Sequence, residues 1–305
     1  MINKKKIILD TDIGDDIDDA FALLLALKSQ KIDLLGVTTV FRNANKRAKM
    51  AKFIIDELNE NIEVYAGEDN PLSSKIENIV QKEILLKEQK DEFDKYLIPQ
   101  WKDEMNDCEI NEENAIDFII RTIKENPHEV ILVPIGPLTN IAKAFMEAPE
   151  IIPLIKEVRI MGGSLYIKEY PEWNIWCDVE AAKIVFNSGV NLTCITLDTT
   201  LKTALSNEDV LELKNSSKKE LKTIYEMMQK WFKHYEFTTP VMHDPLTIAS
   251  LINEDLITYK YLPIDINVKD YRGFFFVNEE KNNNILASIE VNKEEFLKLF
   301  KSIIL

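Results

Sequence analysis

Short apolar runs rich in Val and Ile alternate along this chain with longer amphipathic stretches, and that alternation restricts the fold more than any single motif. The strand-like runs are KIILD (6–10), IDLLGVTTV (32–40), IEVYA (62–66), EVILVPI (129–135), EVRIM (157–161) and NLTCITL (191–197). The helix-like stretches are DDAFALLLALKS (18–29), NKRAKMAKFIIDELN (45–59), EENAIDFIIRTIKE (112–125), PLTNIAKAFME (137–147) and VEAAKIVFNS (179–188). Strand then helix, repeated, supplies the crossovers that parallel pairing needs, and strands covered on both faces read as continuous apolar runs. The expected fold class is α/β, a largely parallel central sheet with helices on both faces. Ligands of such sheets sit outside the carboxyl ends of the strands. The polar residues that follow the strand runs should therefore converge on one edge of the sheet.

Two regions depart from the alternation. Residues 73–108 are highly charged and mostly helical in character, which suits an insertion or lid over the sheet. Residues 206–235 read as one or two long helices ending in MMQKWFKHYEF, and the tail after 261 reads as a short β excursion before a final amphipathic helix, FLKLFKSIIL. No linker rich in Gly, Pro or Ser interrupts the 305 residues, so a single domain over 1–305 is expected.

The first strand runs straight into DTDIGDDIDDA, which places six aspartates in residues 10–19 with no cation among them. Carboxylates crowded in one loop repel unless protons are held or a cation neutralises them. Hard divalent cations take oxygen ligands, and calcium takes about six to eight of them. The competing reading is a solvated helix cap, because Asp18 and Asp19 fall in a favourable first turn. An EF-hand fails on spacing, since the position of its bidentate Glu is Phe21. A phosphatase of the haloacid dehalogenase type is a stronger alternative, with Asp10 as nucleophile and Asp12 as acid.

Two further stretches carry polar groups of interest. In MHDPLTIASLI (242–252), Asp244 before Pro245 reads as an N-cap and first helical position, and His243 beside it is a candidate proton donor near neutral pH. In PEWNIWCDVEAAKIVF (171–186), Asp178 reads as a helix cap and the tryptophans as core. Glu172 and Asn174, alternating with Trp173 and Ile175 in an extended segment, would face one side and offer a carboxylate and an amide to sugar hydroxyls.

Charge and cysteine usage narrow the partners. Thirty-seven Lys and Arg against 52 Asp and Glu give a net charge of −15, which disfavours polymeric nucleic acid and anionic membranes. Cys108, Cys177 and Cys194 show neither a disulfide framework nor zinc spacing. The N-terminal apolar run is too short for a signal peptide, and no segment approaches the ~20 apolar residues of a membrane span, so a cytoplasmic location is expected.

Taken together, DTDIGDDIDDAFALLLAL, GVTTVFRN, VYAGEDNPL, LVPIGPLTNIA, MGGS, EWNIWCDVEAAKIVFNSG and MHDPL occur in the order of the nucleoside hydrolase family, the inosine–uridine-preferring ribohydrolases, which the chain resembles over most of its length. The phosphatase alternative lacks convincing downstream acidic metal and lysine motifs. The family's first motif is usually Asp-x-Asp-Pro-Gly-x-Asp-Asp-Ala; here Ile13 replaces the proline and two extra residues precede the final Asp-Asp-Ala. With those residues placed in the loop, the resemblance implies calcium held by Asp12, Asp19, the Ile135 carbonyl and Asp244. It implies ribose hydroxyls held by Asp18, Asn43, Glu172 and Asn174, with Asp10 supporting the loop and Asp15 and Asp16 without a role. Asp12 would be the base toward water and His243 the proton donor to the leaving base.

The implied activity is calcium-dependent hydrolysis of the N-glycosidic bond of a ribonucleoside or related N-riboside, in nucleoside salvage. A homodimer or homotetramer is expected by analogy, and a non-catalytic ribose-binding member is the alternative. The short LYIKEYP (165–171) replaces a Gly-Asn segment that contacts the ribose 5′ end in the family, with Tyr166 or Lys168 as substitutes. The usual His-Gly loop near the base is also missing, so base preference stays open.

Overall fold

The computed structural model describes residues 4–72, 98–269, 272–281 and 284–305. Its strands are β1 (Lys5–Thr11), β2 (Ile32–Thr39), β3 (Val64–Ala66), β4 (Val130–Pro134), β5 (Glu157–Met161), β6 (Leu192–Ile195), β7 (Ile257–Leu262), β8 (Ile264–Ile266), β9 (Phe275–Val277) and β10 (Ile285–Val291). Its α-helices are α1 (Asp18–Lys28), α2 (Ala44–Glu57), α3 (Ala115–Glu125), α4 (Thr139–Glu147), α5 (Trp173–Cys177), α6 (Val179–Asn187), α7 (Leu197–Thr200), α8 (Asn207–Lys214), α9 (Lys219–Tyr235), α10 (His243–Ile252) and α11 (Lys293–Ile304). Every strand and helix expected by alternation is present, with ends moved by at most three residues.

Eight strands form one sheet in the order β3-β2-β1-β4-β5-β6-β10-β7, parallel throughout except for β7, which runs antiparallel to β10 at the edge. The chain builds outward from β1 to β3 and then returns to add β4 on the other side of β1. That reversal parts the βα connections after β1 and β4, which opens a crevice at their carboxyl ends. The tail after 261 is more than a β excursion. Its β10 completes the main sheet between β6 and β7, while only β8 and β9 form a separate hairpin.

Alternation along β1 assigns its side chains to two layers. Ile7 and Leu9 pack with α1, α10 and α11, and Ile8 packs with α3, α4 and α6. All three are at most 1% exposed, each worth roughly 1.5–3 kcal/mol of apolar burial. Helix α1 is buried from Asp18 to Ala26 because it lies between the sheet and α10 and α11, which is why its sequence is apolar on nearly every face.

Residues 73–97 of the expected insertion lie outside the described residues. Its end is described: Ile98, Gln100 and Met105 are buried, and Asp103–Asp107 form a 3₁₀ turn. Among the described residues no helix is long and apolar enough to cross a membrane.

Candidate active site

The acidic loop turns back on the strand that feeds it. The Thr11 hydroxyl, at the end of β1, donates to Asp19 Oδ1 and accepts from the Ile13 N–H at 3.1 Å, so the first turn of α1 lies over the strand terminus. Gly14 sits at φ +119°, where a side chain would be strained and would meet the Ile98 methyl at 2.4 Å. The solvated helix-cap reading holds only in part: Asp18 and Asp19 do stand in the first turn of α1, but the N-cap is Ile17, with no side-chain capping bond, and both aspartates are buried and line the cavity. Asp15 and Asp16 are not merely solvated either. Asp15 Oδ2 pairs with the Arg47 guanidinium at 3.0 Å, and Asp16 Oδ1 accepts from the Ile17 N–H at 2.6 Å.

Asp244 arrives from the far end of the chain. The N-cap of α10 is Met242 rather than Asp244, so the Asp244 carboxylate makes no capping bond. Its backbone N–H donates to Asp18 Oδ2 at 2.9 Å, and carboxylate oxygens of Asp18, Asp19 and Asp244 lie within 4.8 Å of one another. Burial, with repulsion from neighbouring aspartates, pushes these three acids well above the usual carboxylate range. Asp12 is pushed up to about 7 by burial, against the opposing pull of Arg47. Asp12 Oδ1 lies over the α-carbon of Gly136, where a Cβ would meet it at 2.7 Å.

The remaining wall comes from β4, β5 and α5. The segment around Glu172 is not extended as its alternation suggested: Glu172 is the N-cap of α5, accepting from the N–H groups of Asn174 at 2.8 Å and Ile175 at 3.0 Å. The Gly163 N–H also donates to it, at 2.8 Å. The Asn174 amide donates to the Ile135 carbonyl at 2.8 Å and to that of Met161 at 3.2 Å. Asp178 caps α6 as expected, through the Ala181 N–H at 3.0 Å, and also receives the Thr139 hydroxyl and the Leu72 N–H. Asp10 supports the loop from below, accepting from Thr38 at 2.6 Å and Asn140 at 2.7 Å; burial raises its pKa to about 7.

His243 Nδ1 lies 2.7 Å from the Thr200 hydroxyl. Burial lowers its pKa to about 4, below the near-neutral titration expected from the sequence.

These groups line one cavity of about 740 Å³. Asp12, Asp18, Asp19, Ile135, Glu172, Asn174, His243 and Asp244 all contribute to it, together with Asp15 and Asp16. Asn43 does not: it caps α2 in a left-handed conformation, φ +63°, and is not among the lining residues. Neither substitute for the 5′ contact lines the cavity; Tyr166 is 68% exposed and Lys168 donates to the Phe275 carbonyl at 3.2 Å. Sequence reasoning passed over the aromatic share of the lining, Trp231, His234, Tyr235 and Phe237 together with Trp173, Trp176 and Tyr170. Its signal was the aromatic density of MMQKWFKHYEF just ahead of MHDPL.

The cluster of carboxylate oxygens within 4.8 Å is formed by Asp18, Asp19 and Asp244, while the buried Asp12 carboxylate and Ile135 line the same cavity, so the available donors are all oxygen. That chemistry fits a hard divalent cation, whose charge would offset the repulsion the burial creates.

A family model described as inosine-uridine preferring nucleoside hydrolase matches residues 7–298. The chain belongs to this family. As a nucleoside hydrolase it is 32% identical over 277 residues to the pyrimidine-specific ribonucleoside hydrolase RihB of Escherichia coli O9:H4 (strain HS), covering 87% of the chain and 85% of that protein. It is 30% identical over 268 residues to uridine nucleosidase 1 of Arabidopsis thaliana, covering 84% of the chain and 76% of the relative. Among solved structures, a purine-preferring ribonucleoside hydrolase from Gardnerella vaginalis superposes with a TM-score of 0.82 at 28% identity, over 98% of each chain. The activity of this nucleoside hydrolase is therefore cleavage of the N-glycosidic bond of ribonucleosides by water. The family excludes the phosphatase alternative.

Proposed function

We propose that the chain hydrolyses ribonucleosides with calcium held by Asp12, Asp19, the Ile135 carbonyl and Asp244. The observation that carries this reading is the convergence of buried carboxylates at the β1 and β4 ends, whose mutual repulsion calls for a cation. A cation held by these residues would supply a more acidic water for attack on the ribose. Asp12 accepts the proton of the attacking water, and the ionised carboxylates around it stabilise the positive charge that develops on the ribose ring. Asp18, Glu172 and Asn174 hold the ribose hydroxyls. Asn43 lies off the cavity lining in the free chain, so its share of ribose binding rests on the resemblance alone.

His243, whose Nδ1 shares a hydrogen bond of 2.7 Å with the Thr200 hydroxyl, hands a proton to the departing base and takes that proton up from water before each transfer. The aromatic lining of Trp231, Tyr235 and Phe237 packs against the base. Curated relatives named for uridine and pyrimidine nucleosides favour pyrimidine ribonucleosides, while the purine-preferring neighbour keeps purines in the panel. A cytoplasmic single-domain chain assembled as a homodimer or homotetramer completes the proposal.

The test is a panel of purine and pyrimidine ribonucleosides incubated with the purified chain, with and without EDTA, reading free ribose. Ribose release that EDTA suppresses and calcium alone restores supports the reading. Release that survives complete chelation overturns the calcium assignment. Asp12→Asn should lower turnover by about 10²–10⁴-fold with circular dichroism unchanged, the range of a general base; wild-type turnover would remove Asp12 from that role.

A further inference from the structure

We propose that Arg47 is a positioning residue for the acidic wall, its buried guanidinium holding the backbone of Asp12 and Ile13 and the Asp15 carboxylate in the arrangement that presents the loop to the cavity. Arg47 stands in the first turn of α2 and is fully buried. Nε donates to the carbonyls of Phe41 at 2.6 Å and Arg42 at 3.0 Å. Nη1 donates to the carbonyls of Asp12 and, at 3.0 Å, Ile13; Nη2 pairs with Asp15 at 3.0 Å. One planar group thus joins α2, the β2–α2 turn and the β1–α1 loop.

Each of those segments needs an external hold. The β2–α2 turn carries three successive non-glycine residues at positive φ, Phe41 at 69°, Arg42 at 37° and Asn43 at 63°, a conformation that persists only where surroundings enforce it. The β1–α1 loop is two residues longer than the family pattern and carries additional like charge in Asp15 and Asp16. Arg47 balances Asp15, and the buried Gln100 amide secures the carbonyls of Asp15 at 3.3 Å and Asp16 at 2.6 Å. A buried cation is costly unless its donors are used, and here all three guanidinium nitrogens are. Lysine cannot reproduce the contact, because an ammonium is a point charge without the rigid fork.

The claim concerns loop geometry and rests on the proposed role of Asp12 only for its effect on turnover. The experiment compares wild type, Arg47→Lys, Arg47→Met, Asp15→Asn and the double variant Arg47→Met/Asp15→Asn. Circular dichroism, peptide-level hydrogen exchange, calcium titration, and kcat and KM for the most rapidly cleaved nucleoside are read for each.

Arg47→Lys should fold, exchange amides 13–17 at least about tenfold faster, and keep wild-type protection over residues 20–28. Its kcat should fall about 100-fold with KM nearly unchanged, the loss that a displacement near 1 Å produces. The double variant should melt above Arg47→Met, because Asp15 is no longer stranded, yet regain no turnover. Wild-type kcat and loop exchange in Arg47→Lys would overturn the proposal, as would protection lost equally across the sheet. Absence of calcium binding by the wild type would overturn the metal assignment instead and leave the exchange and kcat comparison to decide Arg47.

Discussion

Asp19→Asn should have opposite effects on stability with and without calcium. Asn keeps the shape of the side chain and the acceptor that Thr11 uses, so the substitution removes charge while sparing that hydrogen bond. In the cation-free protein, Asp19 lies within 4.8 Å of the carboxylate oxygens of Asp18 and Asp244, and two ionised groups at that distance repel by about 3–4 kcal/mol at an effective dielectric constant near 20. Because proton uptake relieves part of this, a net gain of about 2–3 kcal/mol in EDTA is the working figure. At about 2.1 cal/mol/K of unfolding entropy per residue over 305 residues, that gain raises Tm by about 3–5 °C.

Calcium reverses the order. At about 100 times its Kd, a cation bound only by the folded state adds about 2.7 kcal/mol, or roughly 4 °C, to the wild type. The variant, missing a ligand, should gain little. Differential scanning calorimetry at fixed protein concentration, in EDTA and across a calcium series, reads both arms. A variant less stable than wild type in both conditions would refute the reasoning, since Asp19 would then be a structural acceptor whose charge the fold requires.

Other substitutions probe separate parts of the site. Gly136→Ala drives a methyl to 2.7 Å from Asp12 Oδ1, so kcat should fall about 100-fold while circular dichroism stays native. Phe237→Ala removes an exposed aromatic packed 5.2 Å from the Trp231 ring in the cavity lining; KM should rise about threefold to tenfold with Tm nearly unchanged. Away from the site, the Arg121 guanidinium holds Glu113 below the usual carboxylate range through contacts of 2.7 and 3.0 Å. Because its folded pKa is depressed, its stabilisation is present above pH ~4 and lost as pH falls through the folded value. For so exposed a pair, Glu113→Gln should cost about 0.5 kcal/mol in urea melts at pH 7 and nothing at pH 2.

Local pattern made the sheet legible. β1, β2, β4, β5 and β6 are apolar because helices cover both faces, so the burial that stabilises them is the signal that reveals them. The same logic brought the acidic loop with Asp12 and Asp18, and Ile135 at the end of β4, to one edge, since each follows a strand, whereas Asp244 was placed there by its motif and the family resemblance. Asn43 was less legible, because the left-handed turn that carries it depends on contacts from elsewhere in the chain. Glu172 and Asn174 were assigned to the right cavity but the wrong backbone, because a five-residue helix has too few turns to declare a period. Residues 73–97, where the lid was expected, lie outside the described residues.

The sequence by itself determined the α/β class, the order of the elements and the family, all of which rest on periodicity and on motifs read along the chain. Only the tertiary structure decided which distant groups the six aspartates meet. Asp15 turned out to be paired with Arg47, 32 residues away, and Asp244 sits against Asp18, 226 residues away. Such pairings leave no local signature, because the energy of a buried charge depends on which distant groups the fold brings within a few ångströms. The lowered pKa of His243 is of the same kind, set by burial rather than by its neighbours in sequence.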